Sequence, residues 1–342
     1  MKLRSYSTLT YILFAAATLV TIFVCTAIGS VPIPLPDTIQ ALINAVTAAP
    51  QSPESTANII PEIRLPRVLA AGLVGAALSL AGCALQGLLK NPLADGSTLG
   101  VSAGASLGAV IAITFGLTFT MLPVAGTTIM ASLFAFLSLV AILGLAYKLD
   151  HSLSTNTIIL IGIIFGMLIS AVISIFIVFA TDQLRQIVYW TMGSFANSGY
   201  QDVLLLSVVL LVFGGLLLSL HRELNAFAIG EDNAQHIGVN VKRVKLLILV
   251  CTAALVGTSV SVSGTIAFVG LVTPHMVRLI TGPNHARLMP ACFFGGAIFM
   301  MLCDLLARSV FSPRELPIGV VTSLIGAALF IYIFASARKV KQ

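Results

Sequence analysis

Long apolar runs, separated by short polar or Gly- and Pro-containing segments, dominate this chain. An α-helix of about 20 apolar residues is long enough to cross the ~30 Å hydrocarbon core of a bilayer. The pattern therefore predicts an all-α, polytopic membrane protein with about ten transmembrane helices. The predicted spans cover residues 9–29, 66–86, 98–115, 123–147, 156–180, 202–220, 245–263, 266–281, 288–309 and 317–335.

The amino-acid composition agrees with this prediction. Of 342 residues, 58% are hydrophobic and 9% are charged, and the mean hydropathy is +1.05, whereas an ordinary soluble domain has roughly 25% charged residues. The spans use most of the chain, so we interpret residues 1–342 as a single transmembrane domain without a soluble domain of ordinary size. A reaction that supplies energy outside the membrane would therefore need a partner protein.

The net charge of +6 is informative through membrane topology and does not indicate nucleic-acid binding. Basic residues collect in short cytoplasmic loops. With the N-terminus inside, 13 of the 18 Lys and Arg residues fall in inner segments and five in outer segments. We therefore predict that both termini are cytoplasmic. The first apolar run is too long for the core of a signal peptide and is interpreted as a retained helix.

Residues typical of enzymes and metal centres are scarce. The sequence has no GxxxxGK[ST] phosphate loop, no HExxH and no GxSxG motif, which are the signatures of three large catalytic or nucleotide-binding classes. Its five cysteines stand singly in apolar runs, without the spacing of metal ligands. We therefore expect a protein that is not an enzyme and has no metal site and no cofactor.

One function to consider is that of an ion-coupled secondary transporter. Such carriers keep ionisable residues within their spans. Asp304 is the only acid well inside a predicted span, and Arg308 follows four residues later, where the two side chains share a helix face. A local ion pair is the simpler interpretation of this spacing. The predicted spans offer no further acidic relay.

Two polar segments stand out by their length. Residues 31–65 contain six prolines, which predicts an extended or turn-like outer loop rather than a helix. Residues 221–245 form the largest inner segment, with a predicted break at Gly230 and a helical turn or two that ends at Gly238.

An internal repeat is visible at an offset of 182 residues. The segments LVGAALSLAG (73–82) and LVGTSVSVSG (255–264) match in register, and the same offset pairs Pro92 with Pro274 and Gly100 with Gly282. Five spans in each half, roughly 1–200 and 201–342, would make the repeat inverted, as in many transporters. The Gly- and Pro-containing segments 90–100 and 271–282 are then predicted interruptions beside the pathway; the alternative is that they are helix ends at the membrane edge.

Longer motifs resemble a known family. They are RLPRVLAAGLVGAALSLAGCALQGLLKNPLADGSTLGVSAGAS (64–106), DQLRQIVYWTMGSF (182–195), AIGEDNAQHIGVNV (228–241), GTIAFVGLVTPHMVRLITGPNHARLMP (264–290) and RELPIGVVTSLIGAALFIYI (314–333). In this order they are similar to the FecCD-type permeases, the membrane subunits of binding-protein-dependent ABC importers for ferric siderophores, haem and cobalamin. The resemblance implies two permease subunits around a central path, two cytoplasmic ATP-binding subunits, and an extracytoplasmic substrate-binding protein.

The resemblance also implies roles for individual residues. Segment 228–241 corresponds to the coupling helices that contact the ATPase; its alternative interpretation is a solvated loop. The predicted coupling residues are Gly230, Glu231, Asp232, Gln235, His236 and Gly238.

Two further sites follow from the same resemblance. Arg64, Arg67 and Arg308 correspond to basic positions that meet acidic residues of the binding protein, although Arg67 could also anchor its helix at the headgroups. Asn91, Pro92 and Leu93, with Ser154, Thr155 and Asn156, correspond to a cytoplasmic gate; the last three are also good N-cap residue types.

The function predicted at this point is a multi-pass permease subunit of the bacterial plasma membrane, in contact with lipid. It would move a ferric siderophore, or haem or cobalamin, into the cytoplasm. The small and apolar residues of the spans do not distinguish these substrates, because selectivity is expected to reside in the binding protein.

Overall fold

The computed structural model describes residues 8–29, 31–47, 58–117, 126–151, 154–180 and 182–339. Within these ranges the protein is helical and contains no β-strand. The α-helices are α1 (Thr8–Ala27), α2 (Leu35–Thr47), α3 (Leu65–Leu89), α4 (Val101–Thr114), α5 (Gly126–Leu149), α6 (Thr155–Phe179), α7 (Leu184–Met192), α8 (Tyr200–Val209), α9 (Gly215–Ser219), α10 (His221–Ala228), α11 (Glu231–His236), α12 (Val241–Ser263), α13 (Val269–Thr281), α14 (His285–Ser309) and α15 (Ile318–Lys339). Turns of π-helix (Ile60–Arg64 and Leu210–Gly214) precede α3 and join α8 to α9, and a 3₁₀ turn (Gly96–Leu99) precedes α4.

Seven helical stretches of the described ranges are long and apolar enough to cross a membrane. They are Leu9–Ala27, Ile60–Leu89, Gly126–Leu149, Thr155–Phe179, Tyr200–Ser219, Val241–Ser263 and His285–Ser309. Two shorter apolar helical stretches, Val101–Thr114 and Ile318–Ile333, also coincide with predicted spans. The all-α, polytopic membrane fold is therefore confirmed, whereas the count of ten spans and the internal repeat stay predictions.

Helix α3 forms the centre of the bundle. Most of its residues are buried, and it packs against α12, α13 and α14, as expected for a helix that is apolar on all sides. Small residues allow these close approaches: a Cβ on Gly75 would overlap the carbonyl oxygen of Gly296, and one on Gly82 would overlap that of Gly270. Close backbone contact through glycine is the common way for membrane helices to pack.

The antiparallel pair of α3 and α14 gives the bundle two ends. At one end, Arg67 near the start of α3 contacts Asp304 near the end of α14; we call it the arginine end. At the other, Gly87 of α3 lies against His285 at the start of α14 and Leu224 of α10; we call it the α11 end, because α10 leads into α11. The rise of 1.5 Å per residue separates the two ends by about 30 Å.

The prediction that residues 31–65 are mostly extended is wrong for the described part of this segment. Leu35–Thr47 forms α2, and Ile60–Arg64 is a π-helical turn that continues into α3. Pro36 and Pro61 stand in first turns, where the missing N–H costs no hydrogen bond, and Asp37 adds a favourable charge near the α2 N-terminus. Pro50 and Pro53 lie outside the described residues.

The second predicted interruption, 271–282, is also misplaced. The chain leaves the helix at 264–268, and α13 continues through Pro274 up to Thr281. Proline at 274 leaves the carbonyl of Gly270 without its helical N–H donor. The Gln86 side chain of α3 supplies the replacement, because its Nε2 donates to the Gly270 oxygen at 3.2 Å. Such a donor from a neighbouring helix makes an intramembrane proline tolerable.

The first predicted interruption coincides with non-helical backbone. Lys90 ends α3 in the left-handed region (φ 49°), and Gly100 precedes α4 with φ 69°. The two sequence-matched segments therefore differ locally, since Pro92 lies in a break and Pro274 lies within a helix.

Candidate functional site

Helix α10 ties the predicted coupling segment to the bundle. Leu224 and Phe227 are fully buried, and α10 packs against α3 and α14. The Asn225 side chain donates to Asn284 Oδ1 at 3.0 Å and accepts the backbone N–H of His285 at 2.9 Å. Buried apolar contacts and amide hydrogen bonds thus fix α10 to the start of α14.

Helix α11, by contrast, stands mostly in the open. It begins after Gly230, whose φ of 125° only glycine adopts readily, and its Ala234 is the one buried side chain among its six residues. Asp232, Gln235 and His236 are exposed. The chain turns away at Gly238 (φ 91°), so the predicted break and end of this short helix coincide with the structure.

Glu231 forms the ion pair that joins α11 to the rest of the bundle. Its Oε2 lies 2.7 Å from the Nζ of Lys245 on α12. Its Oε1 accepts a longer hydrogen bond, 3.4 Å, from the hydroxyl of Thr155, the first residue of α6. A cavity of 440 Å³ opens beside this contact; it is lined by Glu231, Asp232, Gln235, Val239, Asn240, Val241 and Lys242.

The predicted gate residues before α6 form a helix cap. Ser154 is the N-cap and its Oγ accepts the N–H of Thr157. The carboxylate of Asp150 accepts the Ser154 N–H at 3.0 Å and the Thr157 hydroxyl at 3.3 Å. Asn156 is exposed. The capping interpretation of this segment is therefore supported, and the gate role stays a prediction.

The second gate segment is a tight turn between α3 and α4. The Asn91 side chain accepts the backbone N–H of Leu93 at 2.9 Å, and its carbonyl accepts that of Ala94. Pro92 and Leu93 are exposed. The 3₁₀ turn that follows packs against α6, which brings the two predicted gate segments onto neighbouring elements.

The predicted docking arginines are buried at the arginine end. Arg67 is 7% exposed; its Nε and Nη2 donate to Asp304 at 3.0–3.2 Å, and its Nη1 donates to Glu315 at 2.9 Å. Arg308 is 4% exposed, lies 3.4 Å from Asp304 and donates to the carbonyl of Cys25. Asp304 is thus shared by two guanidinium groups.

Arg64 has a different set of partners at the same end. It is 4% exposed and donates to the carbonyl oxygens of Thr26, Ala27 and Val31, so it closes the turn between α1 and α2. We call Arg64, Arg67, Asp304, Arg308 and Glu315 the arginine cluster. Asp304, the acid on which an ion-coupled carrier would depend, is engaged within this cluster, and the docking role of the three arginines stays a prediction.

A cavity of 660 Å³ lies between the helices that surround α3. Its lining is mostly small, apolar or hydroxylated, and includes Ser102, Ser106, Ser170, Thr191, Thr265 and Ser323. Asp95 is the one charged residue among the described residues that line it. Such a wall holds few strong contacts for a solute. Among the described residues, no group of three or more His, Cys, Asp or Glu side chains could hold a metal ion.

Sequence reasoning missed the two charged partners that organise these sites, Lys245 and Glu315. Lys245 could have been found from its spacing, because Leu249 and Thr252, four and seven residues later, are on the buried face of α12. Glu315 follows the end of α14, and no local pattern links it to Arg67, 248 residues away.

Comparison with known proteins gives consistent similarities. A sequence profile of the FecCD transport family matches residues 17–336. An uncharacterised ABC transporter permease protein of Bacillus subtilis, YvrB, is 41% identical over 97% of this chain and 95% of its own. The cobalamin import permease BtuC of Halobacterium salinarum is 37% identical over 82% and 74% of the two chains, and the molybdate import permease MolB of Haemophilus influenzae is 37% identical over 91% and 90%.

A solved structure shows the same fold. A transporter assigned to the metal-chelate ABC type, in an inward-facing conformation, superposes with a TM-score of 0.84 at 32% identity, and the match covers 96% of this chain and all of the other.

Proposed function

This chain belongs to the FecCD transport family and is a permease subunit of an ABC importer, and we propose that its substrate is a ferric siderophore, with haem and cobalamin as the alternatives. It is a multi-pass protein of the bacterial inner membrane that works with an ATPase and a substrate-binding protein. The proposal specifies how the two ends of the bundle serve these partners.

The observation that carries the ATP-driven part of this proposal is the exposure of α11, the element that would contact the ATPase. In a chain with 9% charged residues, Asp232, Gln235 and His236 stand in solvent on a short helix that is bounded by Gly230 and Gly238. Exposed polar side chains on a small, well-defined element suit contact with an aqueous protein partner. We assign α11 to the cytoplasmic side, in contact with the ATPase, and we propose that both termini lie on that side as well.

The substrate pathway is assigned to the 660 Å³ cavity and the turn at 91–93. The cavity is lined from α4, α6, α12 and α15 by small and hydroxylated side chains, which give a bulky chelate room without a tight site in which it would be retained. A second permease subunit would complete the path, because many large apolar side chains of α6, such as Leu160, Met167 and Leu168, are exposed and need lipid or a second subunit against them.

Docking of the binding protein is assigned to the arginine end. The three arginines are buried, so a direct ion pair between Arg67 and a partner requires Arg67 to leave Glu315. Arg314 is exposed beside the cluster and needs no such rearrangement. Opposite charges at such a surface guide encounter and orientation more than they add affinity.

Uptake by the reconstituted complex tests this proposal. The permease, its ATPase and its binding protein are placed in proteoliposomes, and accumulation of labelled ferric siderophore, haem, cobalamin and molybdate is measured. We expect accumulation of the ferric siderophore only with internal ATP, the binding protein and the ATPase, and no ATP hydrolysis by the permease alone. Accumulation of only another substrate would replace the proposed one, and uptake driven by an ion gradient without the ATPase would contradict the mechanism.

A further inference from the structure

Lys245 is a buried cation at the α11 end. It is 1% exposed and stands in the second turn of α12, between the exposed Lys242 and the buried Ile248. Removing an ammonium group from water is costly unless it is paired. Its partner at 2.7 Å is Glu231, whose side chain is 34% exposed. Lys245 therefore directs a buried positive charge at Glu231, the first residue of α11.

Glu231 contacts two helices with unequal strength. The 2.7 Å charge-assisted contact with Lys245 is short and strong, whereas the 3.4 Å hydrogen bond from Thr155 is long and weak. Thr155 follows the N-cap Ser154, which Asp150 holds in place. A displacement of Glu231 therefore reaches the capped start of α6 through one carboxylate, and the stronger contact with Lys245 is what keeps that carboxylate beside Thr155.

Helix α11 has few other attachments. Ala234 is its one buried side chain, whereas the preceding α10 is fixed by Leu224, Asn225 and Phe227. An element with few buried contacts is displaced at low cost. Force applied to α11 is therefore concentrated on Glu231.

We propose that Lys245 is a positioning residue that holds Glu231 between α12 and α6, so that movement of α11 is transmitted to the start of α6. This link rests on the proposed contact between α11 and the ATPase. Without the Lys245 ammonium, the partly exposed Glu231 side chain turns to solvent and loses Thr155. ATP hydrolysis would then continue with less substrate moved.

The test is the number of ATP molecules hydrolysed per substrate moved by the complete reconstituted complex. Lys245→Met removes the charge and keeps the length of the side chain; Glu231→Gln removes the other charge; Thr155→Val removes the weak contact without touching the ion pair. Arg243→Met is the matched control, because it removes an exposed positive charge two residues away. Thermal unfolding of each purified complex reports any loss of folding.

We expect Lys245→Met and Glu231→Gln each to raise the ATP-to-substrate ratio about threefold or more, within the range of mutations that alter coupling. The double variant should be no worse than the worse single one, since both remove the same link. Thr155→Val should raise the ratio less, and Arg243→Met should leave it unchanged.

Three results would overturn the link. One is a Lys245→Met complex with a lower unfolding temperature and an unchanged ratio, which would make the pair purely structural; if this variant does not fold, an unchanged ratio in Thr155→Val has the same meaning. Another is additive effects of the two single substitutions, which would make the residues independent. A wild-type complex without ATP-driven uptake would remove the proposed function together with the link, whereas the first two results leave that function intact.

Discussion

The arginine end and the α11 end both carry charges that are conspicuous in an apolar chain, but the fold uses them differently. At the arginine end, Asp304 is 1% exposed and pairs with both Arg67 and Arg308 within the bundle. At the α11 end, Asp232 and His236 stand in solvent, and Glu231 forms one ion pair with the bundle. The first arrangement joins helices to each other; the second leaves charges available to another protein.

This difference shows that a charge in a membrane protein indicates a partner surface only when the fold leaves it exposed. A buried ion pair is weak evidence for net stabilisation, yet removal of one partner is strongly destabilising because the other charge stays buried. Exposed charges have the opposite behaviour, with little effect on folding and a large effect on contacts outside the chain. The following substitutions separate the two cases.

The largest effect is expected for Asp304→Asn at the arginine end. It leaves Arg67 and Arg308 without their shared counter-charge, which should cost about 3–5 kcal/mol of stability. Thermal unfolding of the purified permease measures the loss. The matched control is Glu315→Gln, which removes the outer partner of Arg67; this side chain is 39% exposed, so the loss should be about 1 kcal/mol or less. Equal losses in the two variants would contradict the central position of Asp304.

A smaller effect is expected for Asn225→Leu, which detaches α10 from the start of α14. The His285 N–H and the Asn284 side chain lose their partner, at a cost of about 1–2 kcal/mol. Asn233→Ala on α11 is the control, because its amide bonds only the exposed carbonyl of Ile229. If both variants unfolded at the wild-type temperature, α10 would not be the anchor described here.

Charge reversal in α11 should leave folding intact and weaken the proposed contact with the ATPase. We expect Asp232→Lys to change stability by less than about 0.5 kcal/mol, as is usual for surface positions. It should weaken ATPase binding about tenfold, because the introduced positive charge would either face a like charge or stay unpaired in the contact. Binding of the ATPase to the purified permease measures this. Asp37→Lys, also at an exposed acid in a first helical turn, should bind the ATPase normally. The same weakening in both variants would show that the ATPase contact is not specific to α11.

The smallest effect is expected at the exposed charge beside the arginine cluster. Arg314→Glu should weaken docking of the binding protein by about 0.2–1 kcal/mol, as for exposed ion pairs. The loss should be greater at low salt, because salt screens exposed charges. Arg64→Met should instead lower the unfolding temperature, since Arg64 closes the α1–α2 turn. If Arg314→Glu bound the binding protein as tightly as wild type at both low and high salt, docking would lie elsewhere.

The sequence predicts the fold class well because apolar run length directly reflects bilayer thickness. The break and end of α11 were also predictable, since Gly230 and Gly238 both adopt positive φ. The path of α13 was not, because Pro274 is accommodated by Gln86 from a helix almost 190 residues earlier. Pro36 likewise predicts a break in the helix, although the first turn of α2 tolerates proline.

Burial of the charged residues could not be predicted from local sequence. From the sequence alone, Arg67 is interpreted as an outer basic residue. In the structure, the packing of α3 on α14 places Asp304 and Glu315 beside it. From the sequence alone, Lys245 is interpreted as a basic residue of an inner segment. In the structure, α11 folds back over α12 and Glu231 pairs with Lys245. In each case the partner is distant in sequence or separated by a turn, so tertiary structure alone decides whether the charge is internal.

The most direct test of the contrast between the two ends is the ATP-to-substrate ratio of Asp304→Asn and Glu231→Gln, measured in the same reconstituted complex at equal amounts of folded protein. We predict a wild-type ratio for Asp304→Asn, because its defect lies in folding, and a raised ratio for Glu231→Gln, because its defect lies in transmission. A raised ratio for Asp304→Asn together with a wild-type ratio for Glu231→Gln would contradict the account.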